Sequence, residues 1–98
     1  MELIKLNDKN IIATNGNIKT FFSYDSKIME IDTKKGSVKI GKDWNYSRTT
    51  QRFLYKFINL YIDYINNTNI YKLYLSNKKI INKKLIEELI KNKLIKEM

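Results

Sequence analysis

Residues 43–65 read DWNYSRTTQRFLYKFINLYIDYI, and the spacing of their polar positions decides the fold. From Arg52 onward, polar side chains recur at steps of four, three, four and three, which is the spacing of one helix face; they are Arg52, Lys56, Asn59, Asp63 and Asn66. Nearly every other position from Phe53 to Ile65 is apolar. A helix with so narrow a polar stripe must be covered on most sides. We therefore predict that it is the central core element, lying across a sheet.

The forty residues at the start of the chain have the pattern of short strands. Their apolar runs alternate with polar residues or end at turn residues, and they lie at 3–6, 11–13, 18–24, 28–32 and 37–40. Asn15-Gly16-Asn17 is typical of a turn with positive φ. The last two runs flank Thr33-Lys34-Lys35-Gly36, which predicts a hairpin with Gly36 in the left-handed conformation.

The residues after 65 add one strand and one helix to the prediction. Ile70–Leu75 alternates again, so it is predicted to be a strand that turns at least one of Tyr71 and Tyr74 outward. Asn82 is a suitable cap for an amphipathic helix whose apolar positions are Leu85, Ile86, Leu89, Ile90, Leu94 and Met98. The chain is therefore expected to be one domain, residues 1–98, of the α+β class. We expect a small antiparallel sheet packed on the central helix, then a short strand and a C-terminal amphipathic helix.

The composition narrows the chemistry. The 98 residues include no cysteine and no histidine, which removes thiolate chemistry, the usual general base and the commonest transition-metal ligand. Asp25 and Asp32-Thr33-Lys34 have the residue types of a metal-dependent nuclease, but the second group is equally typical of a hairpin loop. We therefore expect no enzymatic activity, no metal and no cofactor. No secretory signal or membrane span is apparent, which predicts a cytoplasmic protein with no membrane partner.

The formal net charge of +9 favours a polyanionic partner, because Lys and Arg displace counterions from phosphates. A second explanation stays open. Lys, Asn and Ile make up nearly half of the chain, and AT-rich codons specify these residues. A basic charge therefore also arises from genome composition alone.

The segment before the central helix is the first candidate binding site. Ser47 is placed to cap the helix, and the first turn carries Arg48 and Arg52 but no acidic residue. The candidate residues are two aromatic side chains and three from the first turn: Trp44, Tyr46, Arg48, Thr49 and Arg52. The aromatic rings would stack on a base or fill a pocket of a partner, and the turn would bind a phosphate or carboxylate. In the alternative interpretation, Trp44 closes the edge of the core and the hydroxyls only cap the helix.

The second candidate site is a set of lysines in the last third of the chain. Residues 66–98 contain eight lysines and three glutamates. The lysines that could follow a phosphate backbone are Lys72, Lys78, Lys79, Lys83 and Lys84. The alternative is a solvated helix face without a partner.

Part of the chain resembles a known kind of domain. The stretches Phe22-Ser23-Tyr24-Asp25-Ser26-Lys27-Ile28 and Tyr46-Ser47-Arg48-Thr49-Thr50 resemble a family of small uncharacterised domains in phages and mobile elements of low-GC Gram-positive bacteria. The resemblance covers residues 20–60. It departs from the family pattern at Lys27, where a proline is usual, and at Phe53, where a histidine is usual.

The resemblance implies a phage accessory protein inside a bacterial host cell. Our first hypothesis is a non-enzymatic inhibitor of a host defence complex that targets nucleic acids, similar in size and style to anti-CRISPR proteins; its partner would be a CRISPR-effector-like nucleoprotein. The second hypothesis is direct binding of DNA or RNA. The third is a structural or homodimerising accessory protein, with the last helix as its interface.

Overall fold

The computed structural model describes all residues, 1–98, and has six strands and three α-helices. The strands are β1 (Glu2–Lys5), β2 (Asn10–Asn15), β3 (Ile18–Ser23), β4 (Ser26–Asp32), β5 (Ser37–Ile40) and β6 (Lys96–Glu97). The first five form an antiparallel sheet in chain order, and β6 joins β5 in parallel. The helices are α1 (Arg48–Tyr61), α2 (Thr68–Ser76) and α3 (Lys83–Lys91). The prediction of an α+β fold is confirmed.

One face of the sheet forms one side of the core. A row of apolar residues runs in register across four strands, and all of its members are buried: Ile12, Phe21, Met29 and Ile40. Between β3 and β4 the register shifts at Phe21/Phe22. Ile28 then has no partner across the ladder, and both Ile28 and Met29 are buried. A bulge of this kind lets two consecutive side chains contribute to one core.

Helix α1 packs on this face and supplies four of the 18 core residues, α2 and α3 supply five more, and Ser47 caps α1 as predicted. The Ser47 hydroxyl accepts a hydrogen bond from the Thr50 backbone N–H at 3.1 Å. The Phe57 ring stacks on Phe21 of the sheet at 5.8 Å between centroids. The expectation that this helix reaches Ile65 and is covered on most sides is wrong. α1 ends at Tyr61, a short 3-10 turn follows over Ile62–Tyr64, and Leu60 is 58% exposed, because only one side of the helix faces the sheet.

The strand predicted over Ile70–Leu75 is also wrong, because these residues belong to α2. The Asn67 side chain accepts hydrogen bonds from the backbone N–H groups of Asn69 and Ile70, so a helix begins immediately after it. Ile70 and Tyr74, four residues apart, are buried, while Tyr71 is exposed. Six residues of alternating polarity fit both periods, and the asparagine cap decides between them.

The last helix is shorter than predicted. α3 begins after the Asn82 cap but ends at Lys91, not at Met98. Lys93 adopts a positive φ of 56°, and the Leu94 N–H donates to the Leu89 carbonyl, which is a Schellman-type helix end. The chain then returns to the sheet, where Ile95 is buried and the Met98 N–H donates to the Ile40 carbonyl. None of the helices combines the length and apolar character that a membrane span requires.

Candidate nucleic-acid interface

An exposed pair of tyrosines lies where the β3–β4 turn meets the start of α1. Tyr24 and Asp25 are the two central residues of that turn, and both have positive φ, 51° and 66°. Tyr46 is held by a backbone hydrogen bond from its N–H to the Asp43 carbonyl. The rings of Tyr24 and Tyr46 lie 5.8 Å apart between centroids and are 46% and 70% exposed. We call these two residues the tyrosine pair.

Buried hydroxyl groups fix the two supports of the tyrosine pair to each other. Ser23, beside Tyr24, and Thr50, in the first turn of α1, are both buried, and their hydroxyl oxygens lie 2.9 Å apart. The Ser47 hydroxyl donates to the same Thr50 oxygen at 3.1 Å. Because buried hydroxyl groups are costly to leave unpaired, these bonds favour one relative position of turn and helix. The tyrosine pair therefore lies on a rigid support.

Three cations follow the tyrosine pair along one exposed face of α1. Arg48, Arg52 and Lys56 recur every fourth residue, so they project from the same side of the helix. We call them the α1 cationic face. The Arg52 guanidinium and the Lys56 ammonium lie over the Phe53 ring, 5.3 and 5.1 Å from its centroid.

None of the three cations is paired with a carboxylate. The salt bridges of the protein lie elsewhere, at Lys5–Asp8 and at Lys27 and Lys39 on either side of Glu30. Like charges at four-residue spacing repel each other by about 0.2–0.5 kcal/mol per pair in a helix. The α1 cationic face therefore carries repulsion that a bound anion would relieve.

One of the predicted lysines continues this surface. Lys79 lines a shallow depression of about 270 Å³ together with Lys56 and Asn59. Tyr55 lies at the same depression, and its hydroxyl donates to the Gln51 side chain at 3.1 Å. Burial, with a smaller effect of the Glu87 carboxylate, raises the pKa of Tyr55 above its ordinary value. This hydroxyl therefore stays protonated at neutral pH and remains a hydrogen-bond donor.

The structure separates the other predicted site residues. Trp44 is only 8% exposed and packs in the core. Its predicted stacking on a partner is therefore wrong, and the alternative interpretation, in which Trp44 closes the edge of the core, describes it. Thr49 is half-buried beside the exposed Arg48. Lys72, in α2, lines a different depression together with Asp63 from the connection between α1 and α2. The remaining lysines are exposed, Lys78 at the end of α2 and Lys83 and Lys84 in the first turn of α3.

Among the acidic residues near the turns, Asp32 has a structural role, and none belongs to a group that could hold a metal ion. One oxygen of the Asp32 side chain accepts from the backbone N–H groups of Lys34 and Lys35, both at 3.0 Å, as expected of a hairpin loop. No group of three or more Asp and Glu side chains lies close enough to hold a metal ion.

Sequence reasoning missed two residues of this surface, Lys56 and Tyr24. Lys56 was detectable, because it continues the four-residue spacing of Arg48 and Arg52. Tyr24 was not, because only the packing of the β3–β4 turn against the start of α1 brings it to Tyr46.

Comparison with known proteins identifies the family alone. No curated protein and no solved structure matches the chain at a significant level. The model of DUF8033, a family of unknown function, matches residues 1–88, which is most of the chain. The chain therefore belongs to the DUF8033 family.

Proposed function

We propose that this protein is a non-catalytic module that binds single-stranded nucleic acid through the tyrosine pair and the α1 cationic face. The observation that carries the proposal is the combination of three unpaired cations on one helix face with two exposed aromatic rings beside its first turn. Phosphates would bind to the cations and bases to the rings.

The spacing of the cations supports binding to a polymer. Four residues of α-helix rise about 6 Å, so Arg48, Arg52 and Lys56 present positive charge at regular intervals along one line. The first turn of α1 contains no acidic residue that would neutralise this line. The formal net charge of +9 adds a long-range attraction for polyanions. Contacts of this kind carry affinity without base specificity.

The tyrosine pair favours single strands over duplexes. Stacking of a base on an aromatic side chain contributes about 1–3 kcal/mol per base and requires an unpaired base. Tyr46 is the more exposed of the two rings and is therefore the better platform. Duplex DNA would use the cations only.

The inhibitor hypothesis from the sequence stays a prediction, as does phage origin. A protein that blocks a nucleoprotein complex could use the same surface, but no contact within this chain favours a protein partner over nucleic acid. The homodimer hypothesis also remains a prediction. The helix that would form its interface is shorter than predicted, because α3 ends at Lys91.

The test is a double charge reversal, Arg48→Glu with Arg52→Glu, measured by fluorescence anisotropy with a labelled oligonucleotide. We expect binding to weaken at least about 100-fold at low salt. Each lost phosphate contact should also make the salt dependence shallower by about 0.7 in the log–log slope for single strands. The thermal stability should change little, because both side chains are exposed.

The matched control is Lys83→Glu with Lys84→Glu, which makes the same change in charge on α3. These lysines are exposed but lie outside the proposed surface, so binding should weaken far less. Equal losses in both double variants would mean that overall charge alone drives binding, and the proposed surface would be wrong. If the wild type binds no oligonucleotide but captures a host nucleoprotein with a flat salt response, the inhibitor hypothesis takes its place.

A further inference from the structure

A cleft beside the tyrosine pair has room for a single base. It is lined by Ser23, Tyr24, Ser26, Ile28, Asp43 and Tyr46 and has a volume of about 230 Å³. At about 30 Å³ per water molecule in the liquid, this is the volume of roughly eight waters. The two rings already touch at an interplanar angle of 52°, so a flat ligand would stack against one of them and not between them.

Two polar side chains of the cleft, Asp43 and Ser26, are free to bind a ligand. The Asp43 side chain makes no hydrogen bond or salt bridge within the protein, although its backbone carbonyl accepts from Tyr46. The Ser26 hydroxyl is also without a protein partner, whereas the Ser23 hydroxyl is bonded to Thr50. The cleft therefore offers an acceptor-only carboxylate and one hydroxyl, next to an aromatic wall.

We propose that this cleft binds one base of the single strand and selects bases with an exocyclic amino group, through Asp43. The proposal rests on the proposed function and adds base selectivity to it. The carboxylate accepts a hydrogen bond from the amino group, and the Ser26 hydroxyl pairs with a neighbouring ring nitrogen or carbonyl of the base. Tyr24 or Tyr46 covers the face of the ring.

The chemistry of the bases decides the direction of the preference. Cytosine, adenine and guanine each present an amino group, and a carboxylate accepts from it. Uracil and thymine have a carbonyl oxygen in place of the amino group at C4, and a carboxylate repels it; their one donor on that edge, N3–H, lies between two carbonyl oxygens. A satisfied pair of this kind discriminates by about 1–3 kcal/mol in base recognition.

A cationic side chain of a partner protein is the other ligand that aromatic rings and a carboxylate would accept. The charge of the protein disfavours it. The chain carries a formal net charge of +9, and the unpaired Arg48 lies two residues from Tyr46. A cation would approach against this potential, whereas the base of a bound strand arrives with phosphates that the potential attracts.

The experiment compares oligo(dC) with oligo(dU) of equal length, because the two bases have the same size and differ only at position 4, an amino group against a carbonyl, and at the adjoining N3, which accepts in cytosine and donates in uracil. We expect the wild type to bind oligo(dC) about tenfold more tightly than oligo(dU). Equal affinity for the two oligonucleotides overturns the cleft proposal and leaves the proposed function intact. No salt-dependent binding of either one overturns the proposed function itself.

Two variants with the same change in charge assign the preference to the cleft. Asp43→Asn supplies an amide that both accepts and donates, so binding of oligo(dU) should rise and the preference for oligo(dC) should fall below about twofold. Asp25→Asn neutralises a carboxylate that does not line the cleft, so it should raise both affinities equally and keep the preference. A preference that survives Asp43→Asn, or one that Asp25→Asn abolishes, contradicts the proposal.

A direct titration of the cleft excludes the cationic ligand. Chemical shifts of Tyr46 and Asp43 should respond to deoxycytidine monophosphate at lower concentration than to N-trimethyl-lysine. The reverse order would assign the cleft to a cationic side chain and overturn the proposal.

Discussion

Two tight turns of the same sheet are built from different kinds of residue. The β4–β5 turn ends at Gly36, whose φ is 72°, and the Asp32 side chain accepts from two of its backbone N–H groups. The β3–β4 turn has Tyr24 and Asp25 at its two positive-φ positions and no glycine. Asn-Gly and Asp-Gly are the residues that such a two-residue turn prefers.

The two turns differ in the conformational cost of their positive-φ residues. A bulky residue in the left-handed conformation costs about 1–2 kcal/mol, and such residues concentrate at functional positions. Tyr24 adopts that conformation and places its exposed ring against Tyr46. The β4–β5 turn thus has the residue type that its backbone prefers, whereas the β3–β4 turn carries an exposed aromatic side chain.

The largest effect is expected at the first of these turns, in Gly36→Ala. A Cβ at this position would collide with the backbone nitrogen and the Cβ of Asn66, on the connection between α1 and α2. The conformational cost of about 1–2 kcal/mol and an overpacking cost of about 1–3 kcal/mol add to roughly 3 kcal/mol of lost unfolding free energy. Urea denaturation followed by circular dichroism measures it.

Gly16→Ala is the matched control for that prediction. Gly16 also has a positive φ, 61°, but a Cβ there would have no atom within 4 Å. It should lose only the conformational part, about 1–2 kcal/mol. If the two variants were destabilised equally, the contact with Asn66 would contribute nothing, and the β4–β5 turn would be held by its backbone conformation alone.

The second prediction concerns the β3–β4 turn and has the opposite sign. Tyr24→Asn with Asp25→Gly installs the preferred turn residues and should raise the unfolding free energy by about 1 kcal/mol. The same change should weaken oligonucleotide binding about tenfold, because one stacking ring is lost. The single variant Asp25→Gly keeps both rings and should not weaken the binding. A double variant less stable than the wild type would mean that the Tyr24–Tyr46 contact outweighs the backbone strain, and the contrast between the turns would disappear.

The sequence predicts those features that depend on neighbours along the chain. The Ser47 cap, the left-handed Gly36 and the spacing of Arg48 and Arg52 are local, and each was predictable. Ile70–Leu75 was predicted wrongly because six alternating residues fit either period, and the residue that decides between them, the Asn67 cap, lies outside the run.

The tyrosine pair was not predictable for a related reason. Tyr24 and Tyr46 come together only because the sheet places the β3–β4 turn beside the start of α1. The role of Trp44 was not predictable either. A tryptophan fits both a core and a binding surface, and only its observed burial decides between the two. A candidate site whose residues lie in one segment could therefore be predicted from the sequence, whereas a site formed by two segments could not.

The smallest expected effect is a pH dependence of the β4–β5 turn. The backbone hydrogen bond from Lys35, then that from Lys34 and the charges of both lysines, lower the pKa of Asp32 from its ordinary value of 3.8, although desolvation opposes them. A carboxyl group whose pKa is lower in the folded state stabilises the fold above its unfolded pKa, and this contribution is lost as the pH falls through the folded value. Asp32→Asn should therefore melt below the wild type at neutral pH, and the two melting temperatures should converge below about pH 3.8.

The control for that convergence is Asp25→Asn, which removes the same charge from a side chain that caps no backbone group. Asp25 accepts no backbone hydrogen bond, so this variant should not lose the stability that Asp32→Asn loses at neutral pH. Thermal melts of the three proteins at a series of pH values provide the measurement. A difference between Asp32→Asn and the wild type that stays constant down to acid pH would show that the turn depends on the shape of the side chain and not on its charge. The β4–β5 turn would then be an ordinary glycine turn, and Gly36 alone would distinguish it from the turn that carries Tyr24.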